Sequence, residues 1–141
     1  MRITEIKTYV LVADNADVSL TSSAQDTILV EIYTNEGIVG YGETDTNPWV
    51  AKALIDSPGT HTMDQSMKDI LIGKDPLNIE ERWEELYEGT AMTGRRGAGV
   101  NAIGAIDMAL WDIKGKYENK PVYQLLGGNV HENIRICSTK C

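Results

Sequence analysis

Apolar and polar positions alternate over residues 2–12, with Ile6, Thr8, Val10 and Val12 at period two and Lys7, Tyr9 and Leu11 between them. That spacing predicts a strand with one buried face. Residues 27–34 repeat it, with Ile28, Val30 and Ile32 alternating with Leu29, Glu31 and Tyr33. Asn35-Glu36-Gly37 supplies a short hairpin loop with Gly where a positive φ is needed, and residues 38–43 return as a third strand. The opening is therefore an antiparallel meander. Residues 13–26, between the first two strands, are mostly small or polar and follow neither period. A loop of that length is expected to be a lid or binding loop, with a loose hairpin tip as the alternative.

From residue 48 the spacing turns helical. Asn47 as N-cap and Pro48 at the first helical position predict a short helix over 48–56, stopped by Ser57-Pro58-Gly59. A second is expected over 60–72, with Met63, Met67, Ile70 and Leu71 on a core-facing side and Gly73 ending it. A third begins near Asn78, whose side chain is placed to cap it; Ile79, Trp83, Leu86 and Tyr87 share a stripe and the acids form a solvated face. The longest helix is expected over 99–118, where Val100, Ile103, Ile106, Leu110, Ile113 and Tyr117 recur at steps of three and four. Ala102, Ala105, Met108, Ala109 and Trp111 make its other faces apolar too, which predicts cover on at least two sides and close approach by a neighbour. Residues 121–126 read as one more helical turn closed by Gly127-Gly128, and residues 133–138 as a final strand without an obvious partner. Strands followed by helices argue an α+β fold.

A chain of 141 residues suits one domain. Its 42% hydrophobic and 24% charged residues exclude disorder, collagen-like repeats and a disulfide scaffold. With no Phe, the large apolar anchors are Trp49, Trp83, Trp111 and six Tyr. The net charge of −8 argues against nucleic acid and anionic membrane surfaces as partners. The apolar stretch near the N-terminus is too short for a signal-peptide core or a membrane span, so a cytoplasmic protein is expected. Cys137 and Cys141 would close almost no loop if bridged and are read as free thiols.

Few residues are marked out for chemistry. Gly97-Ala98-Gly99-Val100-Asn101-Ala102 fits half of a dinucleotide fingerprint, but it follows an acidic helix and a loop rather than a buried strand. The glycines are better read as admitting the backbone to a tightly packed helix. Arg95 and Arg96 beside them either hold an anion together with free helix N–H groups or belong to a surface loop. His131, Cys137 and Cys141 would bind zinc only if the strand bent, because residues four apart on a strand stand about 13 Å apart. His61 reads as a surface or capping residue, and no Ser-His-Asp arrangement is indicated. Asp107 and Asp112 interrupt the apolar long helix and need partners: Lys116 at i,i+4 for Asp112, a residue from elsewhere for Asp107, both in structural ion pairs rather than catalysis.

The run Ala102-Ile-Gly-Ala-Ile-Asp107-Met-Ala-Leu110-Trp-Asp112-Ile-Lys-Gly115-Lys116, followed by Lys120-Pro121-Val-Tyr-Gln-Leu-Leu-Gly127-Gly128, closely resembles the N-terminal-domain signature of the mandelate racemase/muconate lactonizing enzyme group of the enolase superfamily. The meander over residues 3–42 resembles the same group's opening strands. The resemblance implies that residues 1–128 form a capping domain, a three-stranded antiparallel meander with a helical bundle, over a modified (β/α) barrel. Residues 129–141 would begin that barrel with its first strand. Loops matching 13–26 and 43–50 close the active site of such enzymes and select the substrate. Their chemistry is proton removal α to a carboxylate, with the enediolate stabilised by Mg²⁺. The bases and metal ligands lie on later barrel strands, so no catalytic residue and no metal ligand is carried over, and the chain by itself is expected to be inert.

Gly94-Arg95-Arg96-Gly97 and Trp111-Asp-Ile-Lys-Gly-Lys look most like acid-sugar dehydratases of the mannonate and galactonate types. Asn47 then occupies the place of a substrate-touching Asn, with helix N-cap as its other reading, and Trp49 either walls the pocket or packs beneath the loop. The expected function is the capping domain of a Mg²⁺-dependent acid-sugar dehydratase. The alternatives are a racemase or cycloisomerase of the same group and a stand-alone binding or assembly module. The expected partners are a barrel domain of the same enzyme, a small acid sugar and, at full length, further copies in a homo-oligomer.

Overall fold

A computed structural model describes residues 1–20, 25–94, 96–128 and Asn133. Strands β1 (Ile3–Val12), β2 (Asp26–Thr34) and β3 (Val39–Thr44) form one antiparallel sheet in the order β1-β2-β3. The helices α1 (Pro48–Asp56), α2 (Met67–Leu71), α3 (Ile79–Gly89), α4 (Ala98–Glu118) and α5 (Val122–Leu125) follow, so the α+β order stands. The strand expected over 133–138 lies outside the described residues.

The alternation places Ile28, Val30 and Ile32 of β2 on the covered face, where all three are fully buried. Ile3, Ile6 and Thr8 of β1 join them, whereas Val10 is half-buried and Val12 exposed. The period is right, but the end of β1 outruns the helical layer.

That layer is organised by α4, which lies on β3 with α1 and α3 packed on its other sides. Close approach is possible because Gly40 and Gly42 carry no Cβ. One added at either position would fall well inside van der Waals contact of the Ala109 or Ala105 carbonyl. Ala102, Ile103, Ala105, Ile106, Ala109, Leu110 and Ile113 are buried along the helix. Tyr117 is exposed, because the last turn passes beyond the sheet. Asp112 and Lys116 pair at 2.6 Å as expected, and both also reach β3. Asp112 Oδ2 accepts from Tyr41 N at 2.9 Å, and Lys116 Nζ donates to Val39 O at 2.7 Å. These bonds occupy backbone groups on the free edge of the sheet.

The helix expected over 60–72 is reduced to α2. Ser66 caps it, its Oγ accepting from Asp69 N at 3.3 Å. Upstream backbone groups bond elsewhere: Gln65 N donates to Gly89 O at 2.8 Å, and Met63 O accepts from Met92 N at 3.0 Å. Met67 is core and Met63 exposed. Asn78 makes no side-chain cap to α3; the nearby Asp75 Oδ1 accepts from Leu77 N at 3.0 Å. Nor is the acidic run of α3 merely a solvated face. It holds the buried Arg82, which pairs with Glu81 at 2.7 Å and Glu85 at 2.9 Å, while Glu85 also meets Lys74. A buried guanidinium needs that compensation.

A second ionic centre joins β1, α1 and α2. Asp56 accepts from Thr8 Oγ1 at 2.8 Å and pairs with Lys52 at 2.6 Å and Lys68 at 2.7 Å. Partial burial, the largest single influence, opposes ionisation, but the bonds from Lys52, Lys68 and Thr8 together outweigh it and hold the carboxyl below its ordinary range. Among the described residues no helix is long and apolar enough to cross a membrane.

Two measurements check this account. Gly42→Ala forces α4 off β3 and is expected to cost about 3 kcal/mol in urea denaturation; a loss below ~0.5 kcal/mol, the usual surface value, contradicts the close-approach argument. Asp56→Asn is expected to cost about 2 kcal/mol at neutral pH. A depressed carboxyl stabilises above the unfolded value near pH ~4, and that stabilisation is lost as pH falls through the lower folded value. The stability curves of wild type and variant should therefore converge in acid, and a constant gap would exclude the ionic role.

Candidate functional site

As β3 runs from Gly40 to Gly42, the facing residues of α4 run back from Ala109 to Ala105, so helix and strand are antiparallel. The N-terminus of α4 therefore lies at the end of the sheet where β3 finishes. There Thr44 pairs with Ile28, next to the start of β2, and Val12 at the end of β1 pairs with Asp26. Most of the loops that look functional in the sequence are gathered at this end.

An open cleft of about 480 Å³ lies there, lined by Leu11 and Val12 of β1, Asp26 and Thr27 of β2, and Glu43 and Asp45 around the end of β3. Thr27 Oγ1 donates to Glu43 Oε2 at 3.0 Å, linking two strands across its floor. The loop above is tied at its base. Ala13 N donates to Gln25 O at 2.7 Å, and the Gln25 side chain both accepts from Asp17 N at 2.6 Å and donates to Asp17 O at 3.0 Å. The Asp17 carboxylate accepts from Ser19 Oγ at 2.7 Å and Ser19 N at 2.9 Å, and these bonds hold it below its ordinary range. Val18 and Leu20 point into solvent, leaving apolar side chains uncovered on the loop.

Asn47 is the N-cap of α1, its Oδ1 accepting from Val50 N at 3.2 Å. The capping role is thus observed, and the side-chain amide N–H groups remain without a bonded partner among the described residues. Trp49, one residue into the helix, is 56% exposed and packs beneath nothing described. Arg96 is exposed in the turn before α4, and Arg95 lies outside the described residues.

The remaining candidates separate. Asp107 is half-buried beside Trp83 and Trp111, with its carboxyl raised by desolvation, and no residue is bonded to it among those described. The partner expected from elsewhere is therefore not found. His61 is exposed in a turn, its Nδ1 2.9 Å from Thr60 Oγ1. Thr60 Oγ1 also donates to Asp64 Oδ2 at 3.0 Å. His131, Cys137 and Cys141 lie outside the described residues. Among the described residues no three His, Cys, Asp or Glu gather as a metal site. Glu43 and Asp112 are engaged with Thr27 and Lys116.

Such an arrangement can wall off and hydrogen-bond a small polar molecule; among the described residues it contains no paired nucleophile and base. Sequence reasoning missed Thr27 and Glu43 because their role depends on strand register. Their alternation marked only an outward-facing side.

The model of the mandelate racemase/muconate lactonizing enzyme N-terminal domain matches residues 6–127. A D-galactonate dehydratase family member of Streptomyces bingchenggensis is 42% identical over 132 residues, covering 91% of this chain and 29% of the relative. An arabinonate dehydratase of Saccharolobus solfataricus is 36% identical, covering 90% of this chain and 35% of the relative. The solved 3,6-anhydro-D-galactonate cycloisomerase of Zobellia galactanivorans superposes with a TM-score of 0.74 at 33% identity, over 91% of this chain and 32% of that one. The chain thus spans about a third of the length of the curated relatives it matches.

Cap and surface roles at α1 are separable by mutation. Asn47→Ala should lose about 1 kcal/mol in thermal or urea unfolding and Asn47→Asp should keep most of it, while Trp49→Ala should stay within ~0.5 kcal/mol of wild type. A large loss at Trp49 would place its ring in the packing instead.

Proposed function

Since this chain belongs to the mandelate racemase/muconate lactonizing enzyme N-terminal domain family, we propose that it is the capping and specificity domain of a Mg²⁺-dependent acid-sugar dehydratase. Residues 1–128 form the cap and residues 129–141 begin a barrel domain, which is its partner. The observation that carries this reading is the match of residues 6–127 to the N-terminal domain family, with 91% of the chain aligned to a D-galactonate dehydratase family member, together with an open cleft at the loop-bearing end of the sheet.

The reaction removes a proton α to the substrate carboxylate and expels the β-hydroxyl as water, leaving an enol that becomes a 2-keto-3-deoxy acid. By its likeness to that family, the base and the metal ligands would lie on later strands of the barrel, and none is assigned to this chain. The cap's share is recognition. Residues 13–26 and 43–50 carry Asp14, Asp17, Asp26, Glu43 and Asp45 and neither Lys nor Arg. Such a lid repels a carboxylate and suits hydroxyl groups, which donate to its acceptors. The cap thus meets the polyol end of the substrate, with the free amide of Asn47 and the ring of Trp49 at its border. A cycloisomerase or racemase of the same group is the second reading, favoured by the likeness to the Zobellia enzyme.

The full-length enzyme, assayed with Mg²⁺ against a panel of acid sugars, should form 2-keto-3-deoxy products. Trp49→Ala should raise KM roughly tenfold, the equivalent of about 1.4 kcal/mol of binding, with less effect on kcat. No turnover of any acid sugar would overturn the dehydratase assignment; racemised or cyclised products would favour the second reading.

A further inference from the structure

Thr93 and Gly94, at the start of the turn that opens α4, are gripped from two sides. On one, Thr93 Oγ1 donates to Asp64 Oδ1. On the other, the Gly94 carbonyl lies against Gly99 in space that a Cβ at residue 99 would fill, and Gly94 itself has φ +109°. The turn between these grips contains Arg96, which is exposed, and Gly97, which adopts φ 72° as N-cap without a side-chain bond. Among its described residues no side chain of the turn is bonded within it.

Asp64 is built to make such a grip. Its second oxygen accepts from Thr60 Oγ1 at 3.0 Å, and the turn is closed by Thr60 N donating to Asp64 O at 2.9 Å and Asp64 N to His61 O at 3.0 Å. Main-chain bonds from Gln65 N to Gly89 O and from Met92 N to Met63 O lay the two segments side by side. Bonds from Thr93 first, then Thr60, hold the carboxyl below its ordinary range, so both oxygens remain acceptors at neutral pH.

We propose that Asp64 is a latch: its carboxylate anchors Thr93 and thereby fixes Gly94, Arg96, Gly97 and the first turn of α4 at the cleft end of the molecule, leaving the sheet–helix core independent of it. The latch does not rest on the dehydratase reading. It is a side-chain contact between segments 29 residues apart, the only one among the described residues that joins the two turns beyond their backbone bonds.

Limited trypsin digestion of the protein tests it, because the sequence offers cleavage after Arg95 and after Arg96, and the product of cleavage after Arg96 is followed by its mass. Asp64→Asn and Thr93→Val should each speed cleavage after Arg96 by about tenfold or more, as expected for loss of a hydrogen bond to a charged group, and the double variant should be no faster than either. Cleavage after Lys52 and Lys114, in α1 and α4, should stay at the wild-type rate. Thr60→Val keeps the Thr93 contact and should leave cleavage after Arg96 unchanged. An unchanged rate in Asp64→Asn, a matching rise at Lys52 and Lys114, or an equal rise in Thr60→Val would each overturn the latch.

Discussion

The approach of α4 to β3 constrains everything else in this domain. Two glycines alternate on the inner side of the strand and two alanines sit one turn apart on the helix, so the backbones meet with no side chain between them. Contact at that distance leaves little freedom in rotation or translation. Asp112 and Lys116 then occupy groups on the edge of β3, which sets the helix along the strand as well as against it. With α4 fixed, its apolar flanks define where α1 and α3 can pack, and its N-terminus is carried to the end of the sheet where the cleft lies.

Ionic groups finish what apolar packing leaves open. Asp56 collects two lysines and a threonine where β1, α1 and α2 meet, and Arg82 draws Glu81 and Glu85 around itself between α3 and its surroundings. None of these residues lines the cleft. At the cleft end the pattern reverses: β1 loses its cover after Thr8, residues 11–20 are all exposed, and short side-chain bonds replace a core. A well-packed body with a lightly held rim suits the capping role proposed above.

Much of the fold was legible in the chain because its signals are local. Alternation in residues 27–34 requires a strand whichever partner it finds, and the run of apolar residues from Ala102 to Ile113 requires a helix covered on several sides. The family signature in the same helix was legible for a related reason, since Asp112, Gly115 and Lys116 act within one turn or on the adjacent strand. The misreadings share a cause. Met63 has helical spacing with Met67, but its backbone bonds to residue 92, and no pattern near residue 63 announces that. Arg82 looked like one more charged residue until α3 was packed. Asp107 looked like half of an ion pair, and among the described residues packing brought no cation to it.

For the candidate site the division is sharper. Asn47 announces its capping duty through Pro48 beside it, a relation between neighbours. That Thr27 meets Glu43, that Gln25 closes the loop on Asp17, and that the loop, α1 and α4 all begin at one end of the sheet depend on register and on helix direction. By itself the sequence determined the three strands, the helices other than α2, their order, the small-residue stripe and the family, because each is written in spacings of a few residues. Only the tertiary structure decided which polar groups meet and where the cleft opens, because hydrogen bonds between residues 16, 29 or 71 positions apart obey distances in space that no local period encodes.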